Sequence, residues 1–266
     1  MIKNYLLIVE GKVTEKEILS SVFERYGFET HDCGQIDFSD DLREFVLKKL
    51  NTPNEDNIFI VQGPRNRIHD WLKLIDTKQD DFERYFRDLD GLFAGTFIIY
   101  DVDHTLKEPL SNMFERYADE TSSGLLLLSS PCIEVLSDEG RTEVLEVAHL
   151  KEYKKELNKK FEKLCHCSAK QYIIDHFEES VLYYLEKNTL ESNSKNVMEH
   201  PSFVLDKINE LNDREFYSLD DQPVRYRYFT TVLYVCIAYI NGLTKQIENV
   251  DEIKGFFEKK LALRGN

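Results

Sequence analysis

Three acidic residues stand at the ends of apolar runs. Glu10 follows Tyr5-Leu6-Leu7-Ile8-Val9 and precedes Gly11. Asp101 and Asp103 close the run Gly95-Thr96-Phe97-Ile98-Ile99-Tyr100, and His104 comes next. Alternation along an extended chain places Asp101 and Asp103 on one side. Carboxylates that converge repel each other unless a cation sits between them. Hard divalent ions prefer oxygen ligands, so the set points to Mg²⁺ or Mn²⁺. Such an ion lowers the pKa of a bound water and neutralises charge on phosphoryl oxygens, which is the chemistry of phosphodiester hydrolysis. Glu10, Asp101 and Asp103 are therefore the candidate catalytic residues.

Other residues stand near the same strand ends. Glu134 lies just past Gly124-Leu125-Leu126-Leu127-Leu128, in Pro131-Cys132-Ile133-Glu134. It is a candidate metal ligand, or a helix-start carboxylate favoured by the helix dipole. Glu15 carries the same two readings. His104 could assist proton transfer near neutral pH, or be an exposed neighbour of the acid pair. Lys12, Arg65 and Arg67 could bind phosphate; each is equally well a solvated residue at a helix start. Arg225 and Arg227 alternate with Tyr226 and Tyr228, which suits base stacking or, more simply, packing.

The elements that must position these groups alternate. Five uninterrupted buried-type residues before Glu10 suit a strand covered on both faces, as in a parallel sheet. Thr14 with Glu17 has capping-box spacing, and Ile18, Leu19, Val22 and Phe23 keep helical period up to Gly27. Residues 28–31 form a possible strand. Helices are expected over 42–50, 71–75, 79–90 and 109–120, and strands over 58–61, 95–100 and 124–128. Strands and helices in alternation, with acids at strand ends, mark an α/β fold with a mostly parallel sheet and flanking helices. In such sheets the carboxyl ends of the strands form the ligand crevice. After about residue 147 the pattern turns helical, over 151–164, 169–187, 203–211, 224–243 and 250–263, with a polar loop at 188–201. The expected division is 1–147 for the α/β domain and 148–266 for a helical one.

Composition narrows the function. The net charge of −15 argues against coating nucleic acid through bulk charge, but leaves room for a local basic groove and a metal site. No Gly-rich phosphate loop of nucleotide-binding spacing is present. Five cysteines, an odd number, and no leader peptide predict a reducing cytoplasm. Cys165-His166-Cys167 with His176 lacks the usual spacing of paired zinc ligands. The apolar run at 229–243 is too short and too polar to cross a bilayer, so no membrane is expected.

Val9-Glu10-Gly11 followed by Thr14-Glu15, and Tyr100-Asp101-Val102-Asp103, resemble the two motifs of the Toprim domain. That domain is shared by topoisomerases, primases and OLD-type nucleases. The resemblance covers residues 4–135 and is strongest for small anti-phage defence nucleases of the RloB/AbiL type and the AriB-like Toprim subunit of PARIS systems. In the RloB-like set a Pro-Cys-x-Glu segment follows the acidic strand, as Pro131-Cys132-Ile133-Glu134 does here. The resemblance implies that Glu10 is the first-motif acid and that Asp101 and Asp103 are the second-motif pair. It implies metal binding by Glu10, Glu15, Asp101, Asp103 and Glu134, although Glu15 lies one residue further along than its counterpart in OLD-type nucleases. The glycine turn between the motifs falls on Gly63. No separate tyrosine-bearing domain is present, so strand passage is not implied. A DNA or tRNA substrate and an ABC- or AAA-type ATPase partner are. A homodimer is compatible with paired cuts.

Overall fold

The structure is a computed structural model. It describes residues 3–10, 13–35, 48, 56–63, 92–101, 117–121, 124–130, 132–138, 144–147, 150–189, 224–227, 229–230, 232 and 250–264. The helices expected at 71–75, 79–90 and 203–211, nearly all of 42–50, and the loop at 190–201 lie outside those residues.

The protein is an α/β protein with a parallel sheet. Strands β1 (Asn4–Val9), β2 (Glu29–Gln35), β3 (Asn57–Gln62), β4 (Gly95–Asp101) and β6 (Gly124–Ser130) are ordered β2-β3-β1-β4-β6. These five are all parallel. The short β5 (Ala118–Asp119) and β9 (Phe229–Thr230) pair antiparallel with β6. β1 is central, with Leu7 facing Ile60 on one side and Phe97 on the other. Tyr5 to Val9 are all at most 2% exposed, as a strand covered on both faces requires. The edge strand β2 is polar and buries only His31. It slips register between Asp32 and Gln35, where Gly34 takes a positive φ of 72°; such a bulge blunts an exposed edge.

Helix α1 (Thr14–Arg25) buries Ile18, Leu19, Val22 and Phe23, the stripe its periodicity predicts. Its capping box does not form. Thr14 is already helical, and the amide of Glu17 donates to the carbonyl of Val13 at 2.9 Å. Gly27 ends the helix at φ 89°, a conformation a Cβ would disfavour.

The chain packs as two compact units, Met1–Tyr100 with Leu106–Leu127, and Asp101–Thr105 with Leu128–Asn266. The second unit therefore takes Asp101 and residues 128–147, which the sequence groups with the first domain. It contains a 3-10 turn (Ile133–Ser137), β7 (Val144–Val147), α2 (Leu150–Cys165), α3 (Ala169–Asp175), α4 (Phe177–Thr189), β8 (Val224–Arg227) and α5 (Val250–Arg264). The 3-10 turn packs against α3, α4 and β9. Tyr153, Leu157 and Phe161 recur every fourth residue along α2 and form a buried cluster with Cys132 and Ala169.

Three expectations change here. Residues 224–227 are a strand, not the start of a helix, and pair antiparallel with β7. Val224 is β-branched and Tyr226 aromatic, alternating with Arg225 and Arg227, and cross-strand pairing overrode the helical reading. The helix expected to reach residue 120 gives way to β5 at Ala118. The helix expected over 169–187 is broken at His176 into α3 and α4.

Candidate metal centre

β4 ends in Asp101, and the 3-10 turn after β6 starts with Ile133 and Glu134. These two local features bring two acids together within the second unit. The amide of Ile133 donates to Asp101 Oδ1 at 3.1 Å and fixes that carboxylate against the turn. Single oxygen or sulfur atoms of Asp101, Cys132 and Glu134 all lie within 4.8 Å of one another, and all three residues are buried. Among the described residues this group has the geometry to hold a metal ion.

One cation already belongs to the cluster. Lys154 Nζ, from the first turns of α2, stands 3.3 Å from Asp101 Oδ2 and 3.4 Å from Glu134 Oε2. Two ionised acids and one ammonium leave a net charge of −1, so the cluster still favours positive charge. Oε2 of Glu134 is buried and makes no well-aligned hydrogen bond. The carboxylate oxygens are hard donors and fit Mg²⁺ or Mn²⁺. Cys132 does not. Burial first, and then the Glu134 charge, push its thiol well above the ordinary range, so it stays protonated and donates a hydrogen bond to Glu134. A third buried acid lies nearby in the chain: Asp138 Oδ2 accepts the Tyr153 hydroxyl at 3.1 Å, which ties α2 to the turn.

The first unit holds Glu10 and Glu15. Glu10 is half-buried beyond β1, and its amide donates to the carbonyl of Ile99 at 3.0 Å. Glu15 is buried in the first turn of α1. Burial, and then the Glu10 charge, push the Tyr100 phenol up. The Tyr100 hydroxyl crowds Gly63: a Cβ there would lie 2.3 Å from it, which is why the turn after β3 takes a glycine.

Asp101 and Glu134 are thus brought together, as an acid at a strand end and an acid after the next strand. Lys12, Arg65, Arg67, Asp103 and His104 lie outside the described residues. The sequence reading missed Lys154. Its only signal is its place beside Tyr153, at the margin of the buried stripe of α2. Cys165 and Cys167, set aside as zinc ligands, are joined in a disulfide.

Fold and site together define an α/β protein with a parallel sheet and a buried carboxylate cluster suited to a cation. Among the described residues, no helix is long and apolar enough to cross a membrane. Comparison with family models, curated proteins and solved structures finds no match.

Proposed function

We propose that the chain is a metal-dependent nuclease with a Toprim-like catalytic domain. It would hydrolyse phosphodiesters of DNA, or of tRNA and other structured RNA, as the toxic effector of an anti-phage system restrained by an ABC- or AAA-type ATPase. The observation that carries this reading is the buried meeting of Asp101 with Glu134. The motifs that resemble Toprim, Val9-Glu10-Gly11 and Asp101-Val102-Asp103, supply the rest.

On this reading Asp101 and Glu134 would hold Mg²⁺ or Mn²⁺, which when bound supplies an activated water and neutralises phosphoryl charge. The chain's own residues do the positioning. The Ile133 amide holds Asp101 Oδ1 and leaves Oδ2 turned to the cation side. Lys154 presents an ammonium to a phosphate oxygen. Glu10, by the family resemblance, is the general base or acid, and Asp103 completes the second motif. Lys12, Arg65 and Arg67 would steady the phosphate backbone, with His104 close to the reacting acids in sequence.

Lys154 also favours a second reading. A carboxylate pair already compensated by an internal ammonium suits a catalytically inactive module of the same fold that docks on an ATPase. Incubation of the purified chain with plasmid DNA and total tRNA, in Mg²⁺, Mn²⁺ or EDTA, separates the two. The nuclease reading expects metal-dependent cleavage that is lost in Asp101→Asn and Glu10→Ala at unchanged melting temperature. Asn keeps an oxygen for the Ile133 amide, so the fold survives. Cleavage retained by Asp101→Asn refutes the assignment, and inert protein in every metal supports the module.

A further inference from the structure

The Cys165-His166-Cys167 segment has no part in the proposed chemistry, and it sits at a mechanical joint. It links the end of α2 to the start of α3. The two cysteines are bonded across a separation of two residues, with Cα atoms 5.4 Å apart. So small a ring removes little freedom from an unfolded chain, so stapling the fold is a poor account of it. Access is open on one side: Cys165 and His166 are exposed, and Leu164 is 68% exposed. Cys167 faces the other way and packs against the cluster of Cys132, Tyr153, Leu157, Phe161 and Ala169. His166, held between the two sulfurs, has φ 56°, the single positive value outside glycine among the described residues. That conformation is uncommon for a residue with a Cβ, and release of the ring would free it.

The joint is otherwise fastened by reversible contacts. The Ala169 amide donates to Asn158 Oδ1 at 2.9 Å, and the Ser168 hydroxyl caps α3 by accepting from the Gln171 amide at 3.1 Å. Phe161 of α2 stacks on Tyr172 of α3 with ring centres 4.3 Å apart. Helix α3 in turn packs on the 3-10 turn that carries Glu134.

We propose that Cys165 and Cys167 are a reversible dithiol–disulfide centre, oxidised by small-molecule disulfides of the glutathione class, and that the closed ring clasps α3 against α2. In the forward step the exposed Cys165 thiolate attacks one sulfur of the small disulfide. One thiol leaves, and a mixed disulfide forms on Cys165. Cys167 then attacks Cys165 and expels the second thiol. Two protons and two electrons pass from the cysteines to the small disulfide, which becomes two thiols. The remaining described thiols stay out of this exchange. Cys132 is fully buried, and burial, with Asp32 next, pushes Cys33 up to about 12.

The proposal is independent of the nuclease reading, and its test does not use activity. The full chain is reduced with dithiothreitol, exchanged into oxidised or reduced glutathione, alkylated natively and digested. The peptide spanning 165–167 should carry an internal disulfide after oxidised glutathione and two alkyl groups after reduced glutathione, reversibly. Cys167→Ser, which lacks the resolving thiol, should instead trap a mixed disulfide on Cys165. Hydrogen exchange over 166–176 should be slower in the oxidised chain, and identical in both redox states of Cys165→Ser. A peptide that stays alkylatable in oxidised glutathione overturns the proposal. So does bound zinc that blocks oxidation, or ring closure with no change in exchange.

Discussion

Replacing Lys154 by methionine removes the ammonium while keeping most of the side chain's length. In the native protein that ammonium lies 3.3 Å from Asp101 Oδ2 and 3.4 Å from Glu134 Oε2. The side chains of the two acids are 10% and 9% exposed. Without the lysine, two buried carboxylates no more than 4.8 Å apart face each other. At that distance and an effective dielectric of about 20 their repulsion is roughly 3 kcal/mol. Removing one partner of a fully buried pair costs ~3–5 kcal/mol. Lys154 is 32% exposed, so water offsets part of the loss and about 2 kcal/mol is the expected destabilisation. For a chain of this size that lowers the melting temperature by roughly 4–8 °C in EDTA. Millimolar Mn²⁺ should restore the loss, because a divalent cation takes over the compensation. The same substitution should tighten Mn²⁺ binding about tenfold in titration calorimetry, since the competing ammonium is gone, a gain of about 1.4 kcal/mol. A Lys154→Met protein that melts like wild type in EDTA and binds Mn²⁺ no more tightly would refute a cation site at Asp101 and Glu134.

Gly63→Ala should cost ~1–3 kcal/mol in urea unfolding through overpacking against the buried Tyr100 hydroxyl, and Tyr100→Phe in the same chain should recover part of it. Additive effects of the two changes would show that they do not touch. Phe161→Ala should lose about 3–4 kcal/mol, because the ring fills the cluster with Tyr153 and Leu157; a loss near zero would place the ring in solvent. Native alkylation of Cys33 should keep rising with pH beyond about pH 9, where an unshifted thiol levels off, because burial holds it protonated. A plateau near that pH, or rapid labelling of Cys132, would contradict the burial described.

What was legible in the sequence was whatever short-range pattern dictates. Runs such as Tyr5–Val9 and Phe97–Tyr100 must be buried on both faces, because no polar residue interrupts them, and a parallel sheet is where such strands occur. The stripe Ile18, Leu19, Val22 and Phe23 specified the inner face of α1 for the same local reason. Glu10 and Asp101, placed after those runs, came to strand ends; that Asp101 lies beside Glu134 of the later turn is what the structure adds. The 224–227 segment was misread because four residues carry too little periodicity to separate strand from helix; its partner at 144–147, some 80 residues away in the chain, decided the matter.

Taken alone, then, the amino-acid order determined the apolar strands, the helix faces and the presence of acids at a sheet's rim, since each depends on residues within a few positions of one another. Only the tertiary structure decided that Lys154 stands between Asp101 and Glu134, and that Cys167 faces the cluster beside them. Those placements depend on how α2 and α3 pack against a turn formed far earlier in the chain, and a lysine on a helix looks the same in sequence whether it meets water or two buried carboxylates.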